Sequence, residues 1–187
     1  MKDILLTSAD FVKSATNCSD NINEKVMTTA IREAQEINLK SVIGSKMLNK
    51  LKELVDSEDI HRVGNEAYKN LLDETQYYLA YTVLVKLCVI TTYGLDNVGL
   101  YKKSDEHIET VDWDDVAQIS AYYQHKADSY CLYLQNYILE NRKDLPEIDE
   151  NKCWDIHSNL YSAASSGLWM GGVRGKGYRH PHCYIGK

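Results

Sequence analysis

The sequence predicts an all-α protein: a small bundle of about four main helices with an extended C-terminal arm. Three observations carry that prediction. Apolar residues recur near the 3.6-residue helical period through residues 26–55, 68–82 and 116–138. Alternation of the strand type is confined to short ends and to residues 94–110. Five glycines fall between Ser166 and Tyr178, too many for a regular element to persist there. Residues 1–150 therefore read as a helical core and 151–187 as a basic, glycine-rich arm.

Residues 1–20 read as irregular, a short apolar run at Ile4 to Leu6 followed by a polar stretch. Asn21 with Glu24 has the spacing of a capping box, so the first main helix is expected from there to about Lys40. Its apolar stripe runs through Val26, Ala30, Ala34 and Ile37. Gly44 and Ser45 hinge it to a second helix with a stripe of Met47, Leu48, Leu51, Leu54 and Val55, ending near Asp56. A loop closes on Gly64, and Asn65 stands where a helix cap is expected.

The third helix carries Tyr68, Leu71, Leu72, Thr75, Tyr78, Leu79 and Thr82 on one face. It continues into LVKLCVITTY with almost no polar side, the mark of a central helix. Residues 94–110 read as a long loop or a short hairpin. Asp112, with Asp115 three residues on, opens a fourth helix. Its inward face is expected to be Val116, Ile119, Tyr123, Ala127, Tyr130, Leu134, Tyr137 and Ile138, and it should fray near Asn141 and stop before Pro146. A short helix is expected from about Cys153 to Leu160.

Composition narrows the function classes. Hydrophobic residues make up 44% and charged residues 26%, ordinary for a soluble globular chain. The net charge of −6 divides into −10 over residues 1–150 and +4 over 151–187, so the arm is a separate electrostatic object that seeks an acidic partner. Five unpaired-looking cysteines argue for a reducing cytoplasm rather than a disulfide framework. Neither the N-terminal apolar run nor residues 79–93, broken by Lys86, is long enough for a signal peptide or a membrane span. Fourteen tyrosines against one phenylalanine supply broad faces with polar tips, suited to half-wet helix seams and subunit contacts.

The chemistry-bearing motifs are weak. In GGVRGKG, a phosphate loop ending at Lys176 would need glycine at Met170 and Ser or Thr at Gly177. Cys153, His157, His180, His182 and Cys183 could ligate a metal, but they lack the paired spacing of structural zinc sites. Arg174, Lys176, Arg179 and Lys187, interleaved with Trp169, Tyr178 and Tyr184, resemble a single-strand-binding segment, although the acidic body would repel the same polymer. His61, His107 and His125 are isolated, and Asp112, Asp114 and Asp115 sit where a helix start favours acids. No nucleophile has the context of a triad. No catalytic residue, cofactor or metal is expected.

The order of features carries a resemblance. The run TTAIREAQEINLKSVIGSKMLNKL, the apolar helix LLDETQYYLAYTVLVKLCVI and the late segment YCLYLQNYILENRKDLPEI resemble the head-tail connector (adaptor) proteins of tailed bacteriophages, most of all the ring proteins of crAss-like phages. The resemblance covers about residues 20–148. It implies a structural virion protein at the head-tail junction, made in the host cytoplasm. The subunit would form a homo-oligomeric ring, commonly a dodecamer, beneath the portal, and DNA would pass through the channel without sequence-specific binding. It further implies that the C-terminal segment reaches toward the portal or a neighbour, with Leu168, Trp169, Met170, Arg174, Tyr178 and Arg179 as its anchors. Tyr122 and Tyr133, outside the inward stripe of the fourth helix, are the expected ring contacts. The rival reading is a small metal- or RNA-binding regulatory protein using the C-terminal Cys/His set and basic segment.

Overall fold

The computed structural model describes residues 4–96, 99–102 and 112–148, with the backbone alone at 95, 96 and 99–102. Among these residues the fold is all-α apart from one two-stranded hairpin. The elements are α1 (Ala9–Ala15), α2 (Glu24–Glu33), a π-helical turn (Ala34–Leu39), α3 (Lys40–Asp56), a 3-10 turn (Asp59–His61), α4 (Glu66–Thr92), β1 (Tyr93–Asp96), β2 (Gly99–Lys102), α5 (Trp113–Glu140) and a closing 3-10 turn (Arg142–Asp144).

The expectation of an irregular N-terminus is corrected by α1. Ser8 caps it, its hydroxyl accepting from Phe11 N at 3.1 Å, and Val12 is fully buried. Seven residues are too few for a helix to be stable alone, so tertiary packing against α2 and α4 makes this one. Ahead of it, the chain at Ile4 to Leu6 is held by two amide side chains. Leu6 N donates to Gln35 Oε1 at 2.8 Å, and Gln35 Nε2 donates to Ile4 O at 3.0 Å. Gln76 Nε2 donates to Leu6 O at 2.9 Å. The cap of α2 is Asn23, whose side chain accepts from Lys25 N at 2.9 Å, two residues beyond the expected Asn21.

The stripe through Val26, Ala30, Ala34 and Ile37 fails at its last member. Ile37 is 62% exposed. The π-helical turn is the reason: a bond spanning five residues, from Lys40 N to Gln35 O, inserts one extra residue into the turn. The next inward position after Ala34 is therefore Leu39, five residues on, and Gln35 is buried beside it. The hinge at Gly44 is present as a kink inside α3, with φ 81° and ψ 163°, a region essentially closed to side chains. Beyond it Met47, Leu48, Leu51 and Leu54 are buried as the stripe required, with Val55 half-buried.

α4 is the central helix, lying against α1, α2, the π-helical turn and α5. Its ten buried residues include Leu71, Leu72, Thr75, Tyr78, Leu79 and Thr82. Asn65 stands at its start but spends its side chain elsewhere, Nδ2 donating to Asp59 O at 2.8 Å. The hairpin after α4 pairs Tyr93 with Lys102 and Asp96 with Gly99 in antiparallel register. It reverses the chain, so α5 returns antiparallel along α4. Tyr93 and Trp113 meet edge to face at one end, with centroids 5.6 Å apart. At the other end the Tyr137 hydroxyl donates to Ala67 O at 2.9 Å.

On α5 the expected face holds at Val116, Ala127, Leu134 and Ile138 and fails at Ile119, which is 45% exposed. α5 packs on one long neighbour only, so its buried stripe is narrow. At about 100° per residue Ile119 falls roughly a quarter turn from the stripe's centre, and Cys131 and Gln135 fall inside it. The helix ends at Glu140, and Leu145 and Ile148 then seal the foot of the bundle.

Candidate interaction surface

The feature that stands out on this bundle is a ribbon of aromatic side chains along one edge of the α4–α5 pair. It begins on α1, where Phe11 meets Tyr77 of α4 edge to face at 5.4 Å. Tyr77 and Tyr81, four residues apart on α4, both stack on Tyr130 of α5, at 5.6 Å and 5.1 Å with interplanar angles of 13° and 11°. Tyr133 closes on Tyr130 edge to face at 5.9 Å. Toward the start of α5, Lys126 Nζ lies 5.3 Å from the Tyr81 ring and 4.7 Å from the Tyr122 ring, and Tyr122 meets Tyr123 at 5.4 Å. One continuous run of rings and one cation thus crosses three helices.

Sequence periodicity explains why these side chains share an edge. On α5, Ile119, Tyr122, Lys126 and Tyr133 keep the three-and-four spacing of a helix seam, beside and distinct from the buried stripe. Tyr77, Tyr122 and Tyr133 remain 42%, 55% and 58% exposed, so the seam has no partner among the described residues. Aromatic pairs of this geometry contribute about 0.5–1.5 kcal/mol each beyond the area they bury, which keeps the ribbon ordered while its outer faces stay open.

Electrostatics divides the ribbon. Burial, followed by the neighbouring phenols of Tyr81 and Tyr77, pushes Tyr130 above the usual tyrosine range. The Tyr122 hydroxyl is the main group holding the Lys126 ammonium above its ordinary 10.5. At the foot, near the start of α4, the surroundings turn acidic. Tyr68 donates to Glu147 Oε2 at 2.7 Å and is raised to about 12, by burial first and then by that carboxylate. Tyr137 is raised mainly by burial, with the charges of Asp144 and Glu74 adding to it.

Of the expected ring contacts, Tyr122 and Tyr133 both lie on this ribbon, linked through Tyr130, Tyr81 and Lys126. The expected docking residues Leu168, Trp169, Met170, Arg174, Tyr178 and Arg179 lie outside the described residues, as do Cys153, His157, His180, His182, Cys183 and His107. His61 and His125 are exposed. Among the described residues no group of three or more His, Cys, Asp or Glu is placed to hold a metal ion. No described helix is long and apolar enough to cross a membrane. Sequence reasoning missed Phe11, Tyr77, Tyr81 and Lys126. The Tyr77 and Tyr81 pair, at i and i+4 on a helix whose stripe lay elsewhere, was the available signal.

A helical bundle with an open aromatic edge is the class of protein these features define. The chain belongs to a family of unknown function, DUF6712, whose model matches residues 39–157, from the end of the π-helical turn through α3, α4 and α5. Neither a curated protein nor a solved structure matches it.

Proposed function

We propose that this chain is a structural subunit of the head-tail connector of a tailed bacteriophage, multiplying into a ring, commonly a dodecamer, beneath the portal. The observation that carries the reading is the open seam of α5. Ile119, Tyr122 and Tyr133 form an exposed apolar line at helix-packing spacing, beside the buried stripe of α5, while Leu132 and Leu139 are exposed on another side of the same helix. A cyclic ring is built by heterologous contacts, one face of each subunit meeting a different face of the next, and such a seam supplies one of the two faces.

Two further points support it. The segments that resemble connector proteins are the ones that form the bundle: the π-turned, kinked α2–α3 unit, the central α4 and the end of α5. Residues 1–150 carry a net charge of −10, and like charge keeps DNA in transit from sticking to a channel wall. In this reading the segment from 151 onward docks on the portal or a neighbouring subunit through Trp169, Arg174 and their neighbours.

Peptide mass fingerprinting and cryo-electron microscopy of particles from a phage that encodes this chain test the proposal. The expected result is a stoichiometric ring of the chain at the head-tail junction. Its absence from purified particles overturns the reading.

A further inference from the structure

The ribbon supplies one face of a ring contact, and its rim says what the other face carries. Exposed carboxylates flank the rings. Asp73 stands one turn before Tyr77 on α4, and on α5 Asp115 stands one turn before Ile119 and Glu140 two turns after Tyr133. Lys126, the cation on the α5 seam, is already engaged by the rings of Tyr81 and Tyr122. A surface that matches is apolar at its centre and cationic around it, since cations suit both the carboxylates and the open tyrosine faces.

The π-helical turn builds such a surface. The residue it inserts leaves Ile37 outward, 62% exposed between the buried Gln35 and Leu39. Turns of this kind occur often at functional sites. Arg32 and Lys40, both exposed, stand about one turn to either side of Ile37. The two nearby carboxylates already have lysine partners: Glu33 Oε2 lies 3.8 Å from Lys86 Nζ, and Glu36 is bonded to Lys52. From Lys25 to Lys52 six cationic residues stand against those two carboxylates, so the surroundings of Ile37 are positive.

The two faces point apart. Lys86, which reaches Glu33, is nine residues from Tyr77, two and a half turns, and so lies on the opposite side of α4. One molecule cannot lay Ile37 on its own ribbon. A second copy can, and it leaves its own ribbon open for a third. Contacts of that kind are heterologous and run head to tail until the ring closes.

We propose that the partner of the aromatic ribbon is the π-helical turn of the next copy, with Ile37 seated on the line of Ile119, Tyr122 and Tyr133 and with Arg32 and Lys40 meeting the carboxylates of the rim. The inference rests on the ring reading above and names the second face of that ring. It also gives the π-helical turn a role beyond the fold, because an uninterrupted 3.6-residue count would carry Ile37 inward.

Mixing two variants of the full chain tests this. Tyr122→Asp/Tyr133→Asp removes the ribbon, and Ile37→Asp/Lys40→Glu removes the turn. All four positions are exposed, and circular dichroism checks that each variant keeps the parent's helical content. Native mass spectrometry is run on each variant and on the mixture, with the portal protein of the same phage present where the parent needs it to assemble. Each variant alone is expected to remain a single copy. The mixture is expected to stop at pairs, because the intact turn of one variant meets the intact ribbon of the other and the two remaining faces are disabled. A turn variant that assembles as the parent does overturns the pairing and leaves the connector reading standing. A mixture that yields no pairs also overturns the pairing. Pairs formed by a chain that is absent from purified particles support the pairing and overturn the connector reading instead.

Discussion

Gly44 shows how one residue sets the geometry of the α2–α3 unit. It is buried, and its φ of 81° with ψ of 163° lies where a β-carbon collides with the backbone, so the kink exists because no side chain is there. Gly44→Ala is expected to cost about 1–3 kcal/mol, measured as a lowered urea midpoint at unchanged slope. A midpoint equal to the parent's would mean the kink is held elsewhere. The cysteines bear on the same scale. Burial pushes the Cys131 thiol up to about 12, so it stays protonated and inert at neutral pH, in keeping with a side chain that fills the α4–α5 seam. The Tyr68 contact has a defined pH window. Its folded value is raised from 10.0 to about 12, so its stabilising share is complete below pH 10 and fades as pH rises toward 12.

Among the elements, the π-helical turn decides most. By inserting one residue it turns Gln35 inward, where its amide both accepts from Leu6 N and donates to Ile4 O. The N-terminal segment, the π-helical turn and α4 are joined through that one side chain and Gln76. Gln35→Leu keeps the volume but strands the buried Leu6 N–H and the part-buried Ile4 carbonyl. It is expected to cost about 2–4 kcal/mol and to make the first residues the earliest site of limited proteolysis. Unchanged protease resistance would contradict the role given to the clamp. Much of this scale was legible in the sequence: the hinge at Gly44, the start of α4 after Asn65, its central position, and the end of α5 before Pro146 all follow from punctuation and period. Three things were not. α1 is too short for its period to show and depends on packing. The π-helical turn breaks the 3.6-residue count, so that count places Ile37 inward where the fold buries Leu39. Ile119 belongs to a second seam that a single-stripe reading of α5 merges with the first.

For the whole molecule, the open edge of the α4–α5 pair is the surface through which, in the proposed reading, neighbouring copies meet in a ring. Tyr122 and Tyr133 are legible in the sequence because they fall outside the inward stripe, and both are exposed on the ribbon. The rest of the ribbon was hidden because its rings come from three helices whose alignment is a property of the fold. The most direct measurement is native mass spectrometry of the full chain, alone and mixed with the portal protein of the same phage. It should be run in parallel on Tyr122→Asp/Tyr133→Asp, whose substitutions sit on an exposed face and leave the core untouched. A closed ring at a fixed multiple of 21.4 kDa is expected for the parent, on the portal if not alone, with the ring lost in the variant and the helical content unchanged. A parent chain that remains a 21.4 kDa monomer at every concentration and in the presence of the portal, or a variant that forms the same ring, contradicts it.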